Sequence, residues 1–283
     1  MSQERSQREW KWLARAAWAL GLLIGVGALA VILASPAVNP LSLLPGHDGT
    51  WEAMQSRGVW RVGMDPSFPP FESLNEEGQP VGYDVDLARR MAAEWGLEAE
   101  IVAMGYDSLL DALQADRIDS VVSALPYDPR ETKDFRFSPP YFEAGIRLAV
   151  PVGSPIGDVD ALDGHTVAVE WGSMGDMVGR RLKREDTAIE LVQVPTPEEV
   201  LDALAAGKAD AALIDNVTLR QAQGRGAQVI AMGPALESNP YVIASPHKAG
   251  ELGDQIAETL TRFQENGVMA ELEETWFGPP PAP

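Results

Sequence analysis

The stretch Arg61-Val62-Gly63-Met64-Asp65-Pro66-Ser67-Phe68-Pro69-Pro70-Phe71-Glu72, followed after a polar gap by Gly82-Tyr83-Asp84-Val85-Asp86-Leu87, decides how this chain is read. Its first residues have the apolar character of a short strand, and that strand ends in an acid, Asp65. Prolines at 66, 69 and 70 stiffen the following loop and hold Phe68 between them. An amphipathic helix then opens at Tyr83-Asp84. Aromatic and acidic groups on a stiff loop beyond a strand end suit a small-molecule site in an open α/β sheet.

Strand and helix patterns alternate outward from this stretch. Residues 59–64 read as a strand and 84–95 as a helix stopped by Gly96. Residues 101–104 form a strand, Asp107 is the expected cap of a helix over 108–115, and 118–123 is an apolar strand of the buried parallel type. This first block is βαβαβ. A strand over 146–152 should lead out of it. The second block has strands at 166–170, 189–194 and 209–214. Its helices open at Gly172-Ser173, at the capping box Thr196-Pro197-Glu198-Glu199, and at Asn216. A strand over 241–245 returns to the first block, and helices over 251–266 and 268–276 close the pattern. The expected architecture is α/β with two lobes, the crossings lying near 148–152 and 241–245. Lobe one comprises 51–147 and 241–278, lobe two 148–240, with a linker over 35–50 and a tail over 279–283.

Composition narrows the function. A chain of 283 residues can bury two sizeable cores. With 22 basic against 42 acidic residues and a formal charge of −20, no basic face for nucleic-acid phosphates is expected. There is no cysteine, so disulfides and thiolate metal sites are excluded. His47, His165 and His247 show no metal-ligand spacing, and no cofactor is implied.

The first 34 residues differ from the rest. Arg5, Arg8, Lys11 and Arg15 outnumber Glu4 and Glu9, and residues 16–34 carry no charge and no proline. At ~1.5 Å per residue such a helix spans about 28 Å, close to the ~30 Å hydrocarbon core. Trp12 and Trp18 stand at the basic end, where interfacial aromatics belong. Two readings follow: an uncleaved membrane anchor, or a signal peptide cut near Ser35-Pro36-Ala37. The anchor is favoured, because the apolar run exceeds that of a usual signal peptide and Pro36 is badly placed for cleavage. Either way the basic flank stays cytoplasmic and the remainder lies outside.

The opening stretch resembles that of the bacterial solute-binding proteins of family 3, the extracytoplasmic receptors of polar amino-acid ABC transporters. Their pattern is a strand, Asp, an aromatic, Pro-Pro-Phe-Glu, a gap, and Gly-Phe/Tyr-Asp-hydrophobic-Asp-Leu. The resemblance covers about 51–278 and implies a two-lobed periplasmic-binding-protein-like fold of type II. It also implies capture of a small polar solute between the lobes and an ABC permease as partner. The aromatics at Phe68 and Tyr106 would pack on the ligand, and Asp65 would meet a basic ligand group. Ser123 and Arg130 belong to the segment 123–131, which in relatives binds a carboxylate. Trp171 and Ser173 open a second-lobe helix whose N-terminus suits a carboxylate. Asp215 follows a segment like the family's Gly-Lys-x-Asp-Ala and would pair with an ammonium group. Each has a plainer alternative: core packing for Phe68, turn or helix capping for Asp65, Ser173 and Asp215, and shielding of the cleft for Trp171.

One segment departs from the family. Counting back from Phe137-Ser138-Pro139-Pro140, Pro126 occupies the family's Thr position and Glu131 its Arg position, with Arg130 one residue early. Pro126 has no N–H to donate. Phe68, Tyr106, Trp171, Asp65 and Asp215 would instead suit an amine through cation–π and ion-pair contacts. Two other classes stand beside this one. A dehydratase-like enzyme would need a poised acid or nucleophile, and Glu170 is the only extra carboxylate in view; no further catalytic domain is expected after Gly278. A sensor would depend on a partner for its output. A binding protein, without catalytic residues, is the expected class.

Overall fold

The computed structural model describes residues 49–185 and 187–281. The predicted membrane helix and most of the linker lie outside the described residues. Among those described, no helix is long and apolar enough to cross a membrane.

Helix α1 (Thr50–Arg57) leads into β1 (Val59–Met64), which has the bounds the sequence indicates. A small antiparallel meander follows, made of β2 (Ser67–Phe68), β3 (Glu72–Leu74) and β4 (Pro80–Val81). Helix α2 (Tyr83–Glu94) has no side-chain cap; its first N–H groups, on Tyr83 and Asp84, donate to the carbonyls of Pro70 and Phe71, each at 2.9 Å. The Pro-rich loop therefore supplies acceptors that helix termini otherwise take from a capping side chain. Gly82 makes this approach possible: its φ is +145°, and a Cβ there would lie 2.0 Å from the Phe71 carbonyl oxygen. Then come β5 (Glu98–Ala103), a 3₁₀ turn at Tyr106–Ser108, α3 (Leu109–Gln114), β6 (Ser120–Val121) and β7 (Phe135–Phe137). Asp107 lies inside that 3₁₀ turn and does not cap α3, whose N-cap is Ser108.

Strand β8 (Phe142–Glu143) precedes β9 (Ile146–Pro151). The second block continues with β10 (Thr166–Glu170), α4 (Met174–Arg184), β11 (Glu190–Val194), α5 (Pro197–Ala205), β12 (Ala211–Asp215), α6 (Asn216–Gly224) and β13 (Val229–Glu237). The chain returns through β14 (Pro240–Tyr241) and β15 (Ala244–Pro246), then ends in α7 (Gly250–Glu265) and α8 (Val268–Phe277). Thr196 caps α5 by accepting the Glu199 N–H, as the capping box predicts.

Two five-stranded sheets result. The first has the order β5-β1-β6-β15-β7, with β1, β5 and β6 parallel and β15 antiparallel to β6 and β7. The second has the order β11-β10-β12-β9-β13, with β10, β11 and β12 parallel and β9 antiparallel to β12 and β13. This is the expected pair of α/β lobes. The crossings differ in place. Strands β9 and β15, expected to pass between lobes, lie within the two sheets, and the passages flank the antiparallel pair β8 and β14. Glu143 knots them: its carboxylate accepts the N–H groups of Gly145 and Asn239 and the Ser238 hydroxyl, while its carbonyl accepts the Asn216 amide.

The first-lobe core is aromatic. Phe71, fully buried, meets Tyr83, Phe142, Tyr241 and Phe277 edge-on at ring separations of 5.0–5.7 Å. The loop carrying Phe68 is thus pinned to α2, β8, β14 and α8 together. The second lobe packs aliphatic side chains such as Leu148, Val167, Val169 and Leu213 on one face of its sheet, and Ala168, Ala212 and Leu219 on the other.

Candidate functional site

Asp65 directly follows β1 and is fixed by neighbours from two other segments. Its N–H donates to Ser123 Oγ at 3.0 Å, and its carboxylate accepts the Tyr106 N–H at 2.9 Å. The turn that presents Tyr106 is therefore tied to the strand end that presents Asp65. Ser123, expected among the ligand contacts, is only 1 % exposed. Its hydroxyl donates inward to Glu72 Oε1 at 2.8 Å while its oxygen accepts from Asp65. Ser123 positions the site instead of lining it.

Beneath this layer lies a buried acidic pair that sequence reasoning quoted as motif without giving it a role. Glu72 and Asp84 are both buried. Asp84 Oδ2 accepts the Tyr141 hydroxyl at 2.9 Å and the N–H of Ala124, whose φ of +40° is strained for a residue with a side chain. Burial and the charge of Asp84 push Glu72 far above the usual carboxylate range. Burial, followed by the charges of Asp84 and Glu72, pushes the Tyr141 hydroxyl up as well. Glu72 thus carries a proton at neutral pH.

Phe68 and Tyr106 are 42 % and 43 % exposed. Core packing is excluded for Phe68, which stacks on the buried Phe71 at 5.7 Å and 6° with its other face open. In the second lobe, Trp171 is 71 % exposed at the end of β10, and its N–H donates to the Val194 carbonyl. Ser173 caps α4 by accepting the Asp176 N–H at 3.2 Å. Asp176 accepts the Gly172 N–H at 3.1 Å together with hydrogen bonds from Arg180 and Gln193. The Arg180 guanidinium holds this carboxyl below its usual range.

Asp215 ends β12 and caps α6, its Oδ1 accepting the Thr218 N–H at 2.8 Å. Helix α6 reaches the first lobe: Val217 joins that lobe's core, and the Gln221 amide donates to the Pro69 carbonyl at 3.3 Å. Tyr241, in the crossing ribbon, is pushed up by burial and then by the charges of Asp215, Asp84 and Glu72, with a smaller effect from Tyr106. The charges of acidic groups from both lobes are therefore felt at one ring at the crossing.

Arg130 does not join them. Its Nε donates to both Asp128 carboxylate oxygens, at 2.9 and 3.0 Å, and its side chain is 85 % exposed. Asp128, held down to about 2 by the Arg130 guanidinium, also caps the turn Pro129–Glu131 through the Arg130 N–H. Arg130 instead borders a cavity of about 580 Å³ on the first lobe, walled by Tyr106, Leu110, Pro126, Tyr127 and Phe137. Tyr127 is a wall residue to which the sequence reading gave no role; the signal was its place in the divergent segment. Its ring meets Phe137 edge-on at 5.4 Å. Among the described residues no cluster of His, Asp and Glu is arranged to hold a metal.

Residues 60–279 match the bacterial extracellular solute-binding proteins, family 3. The chain is 32 % identical to the histidine-binding periplasmic protein of Escherichia coli K12 over 228 residues, covering 77 % of this chain and 86 % of that protein. It is 25 % identical to the L-cystine-binding protein of the same strain over 259 residues, covering 90 % and 94 %. Among solved structures, the L-cystine solute receptor of Neisseria gonorrhoeae in its unliganded open conformation superposes with a TM-score of 0.71. That match is at 24 % identity and covers 81 % of this chain and 97 % of that one. The two-lobed periplasmic-binding-protein fold and the match over most of the chain agree: this is an extracytoplasmic binding protein, not an enzyme, and it belongs to family 3 of the bacterial extracellular solute-binding proteins.

Proposed function

We propose that the protein captures a small polar solute, an amino acid or another amine-bearing compound, between its two lobes and delivers it to an ABC permease. Asp65, Phe68 and Tyr106 contribute from the first lobe, and Trp171, Ser173 and Asp215 from the second. The relatives named for histidine and cystine support a ligand of amino-acid size. The observation that carries the reading is the meeting of the lobes at the Pro-rich loop: helix α6, capped by Asp215, donates from Gln221 to the carbonyl of Pro69, next to Phe68. A partly desolvated carboxylate there binds an ammonium group far more strongly than an exposed one does. Closure about the crossing buries the solute and creates the surface that a permease recognises. The uncharged run 16–34, with its basic flank, anchors the lobes to the outer face of the membrane.

The test is a thermal-shift screen of the full chain in detergent against amino acids, amines, opines and small peptides. A true ligand raises the melting temperature by mass action. A flat response across the whole panel would count against solute capture.

A further inference from the structure

We propose that the solute binds as an amine without using a free carboxylate, its apolar or aromatic portion entering the cavity beside Tyr106. This rests on the solute capture proposed above and narrows the class of ligand.

In each lobe the protein's own acids already take groups that would receive a carboxylate. In the first lobe, the Arg130 guanidinium is held by Asp128, Pro126 offers no N–H, and Glu131 stands where relatives have the arginine. In the second lobe, Asp176 takes the Gly172 N–H at the opening of α4, with Arg180 and Gln193 completing its shell. A ligand carboxylate arriving here would have to displace an intramolecular carboxylate from a charge-assisted pair that is already formed.

The cavity itself favours a cation with an apolar body. Among the described residues lining it, Arg130 is the single basic side chain, against Asp107, Asp128 and Glu131. With Arg130 and Asp128 paired, the remaining charge at the rim is negative. Tyr106 and Tyr127 are both well exposed, and rings of this kind attract a cation over their faces while their apolar area packs on an alkyl or aryl group. A volume of about 580 Å³ exceeds what an ammonium group alone occupies and lies within the range of small-molecule sites.

The experiment is titration calorimetry of the full chain with three matched pairs: L-tyrosine and tyramine, L-phenylalanine and phenethylamine, L-arginine and agmatine. Each amine should bind about tenfold or more tightly than its amino acid, and the aryl amines more tightly than agmatine. An amino acid that outbinds its amine overturns the proposal and leaves solute capture standing. No binding by any of the six overturns it too, and the thermal-shift panel then judges solute capture separately. Asp128→Asn releases Arg130 and should raise amino-acid affinity about tenfold. Leu110→Trp, at a half-buried wall position, should cut tyramine affinity by about tenfold without lowering the melting temperature. Tyramine affinity unaltered in Leu110→Trp would overturn the cavity assignment.

Discussion

Glu72 and Asp84 lie close enough in the interior of the first lobe for each to govern the other's ionisation, two buried carboxyl groups that cannot both ionise. Asp84 receives the Ala124 N–H and the Tyr141 hydroxyl, which favour its charged form. Glu72 receives the Ser123 hydroxyl and is more heavily penalised by its surroundings. The proton therefore resides on Glu72. The same Ser123 holds the N–H of Asp65, so this proton lies one hydrogen bond from the layer that shapes the site.

That arrangement sets a pH dependence. Below roughly pH 4 the unfolded chain also carries the Glu72 proton, and the raised value costs nothing. As pH rises, the unfolded chain releases a proton that the folded chain keeps, so this group's contribution to stability falls by up to about 1.4 kcal/mol per pH unit until Glu72 itself ionises. Glu72→Gln keeps a neutral polar group of the same size beside Asp84 and removes that loss. Between about pH 5 and about pH 8, the stability of the variant relative to the parent should rise by roughly 2–4 kcal/mol, read by urea denaturation. A difference that stays constant across this range would exclude the retained proton.

Asp215 caps α6, and in the proposed function it also supplies a charge for the ligand; two substitutions separate the roles. Asp215→Asn retains an oxygen for the Thr218 N–H and should leave the melting temperature almost unchanged. Its affinity for the solute found in the screen should still fall by about a hundredfold, because a buried ligand cation loses its counter-charge. Asp215→Ala should add a stability loss of about 1 kcal/mol. Phe68→Ala and Tyr106→Ala should weaken binding as well, whereas Glu131→Ala should have little effect. Full affinity in Asp215→Asn would show the ammonium site to be wrongly placed.

Gly145 lies in the first passage between lobes, where a Cβ would come within 1.9 Å of the Glu237 carbonyl oxygen at the end of β13. Gly145→Ala should force the passages apart and cost about 1–3 kcal/mol, seen as a lower denaturation midpoint. In the parent, X-ray scattering with saturating ligand should show compaction as the lobes close. An unchanged scattering profile in the presence of a bound ligand would rule out capture by closure.

Native membranes should yield the protein with residues 16–34 retained, and N-terminal sequencing decides the matter. A mature terminus near Val38 would establish a cleaved signal peptide, with export unaffected.

Much of the fold was legible because it depends on local rules. The apolar run at β1, the caps Ser173, Thr196 and Asp215, and the alternation of strands with helices all follow from backbone periodicity and short-range hydrogen bonding. Strand β13 escaped because Gly233 and Pro234 interrupt its pattern, and its pairing with β9 shifts register between Met232 and Glu237. Asp107 looked like a helix cap because its residue type suits one, but the chain winds through a 3₁₀ turn first.

The site divides in the same way. The exposed aromatics Phe68 and Tyr106 and the strand-end acids Asp65 and Asp215 could be read from the chain, since loops and strand termini announce themselves locally. Tertiary structure alone decided that Ser123 faces inward, that Arg130 is held by Asp128, and that Glu72 meets Asp84. Those outcomes rest on which polar groups meet once the chain is packed. Ser123 finds Glu72 across 51 residues, and Asp84 finds Tyr141 across 57. A buried polar group must take whatever partner the fold brings within reach, and no local pattern of residues records that choice.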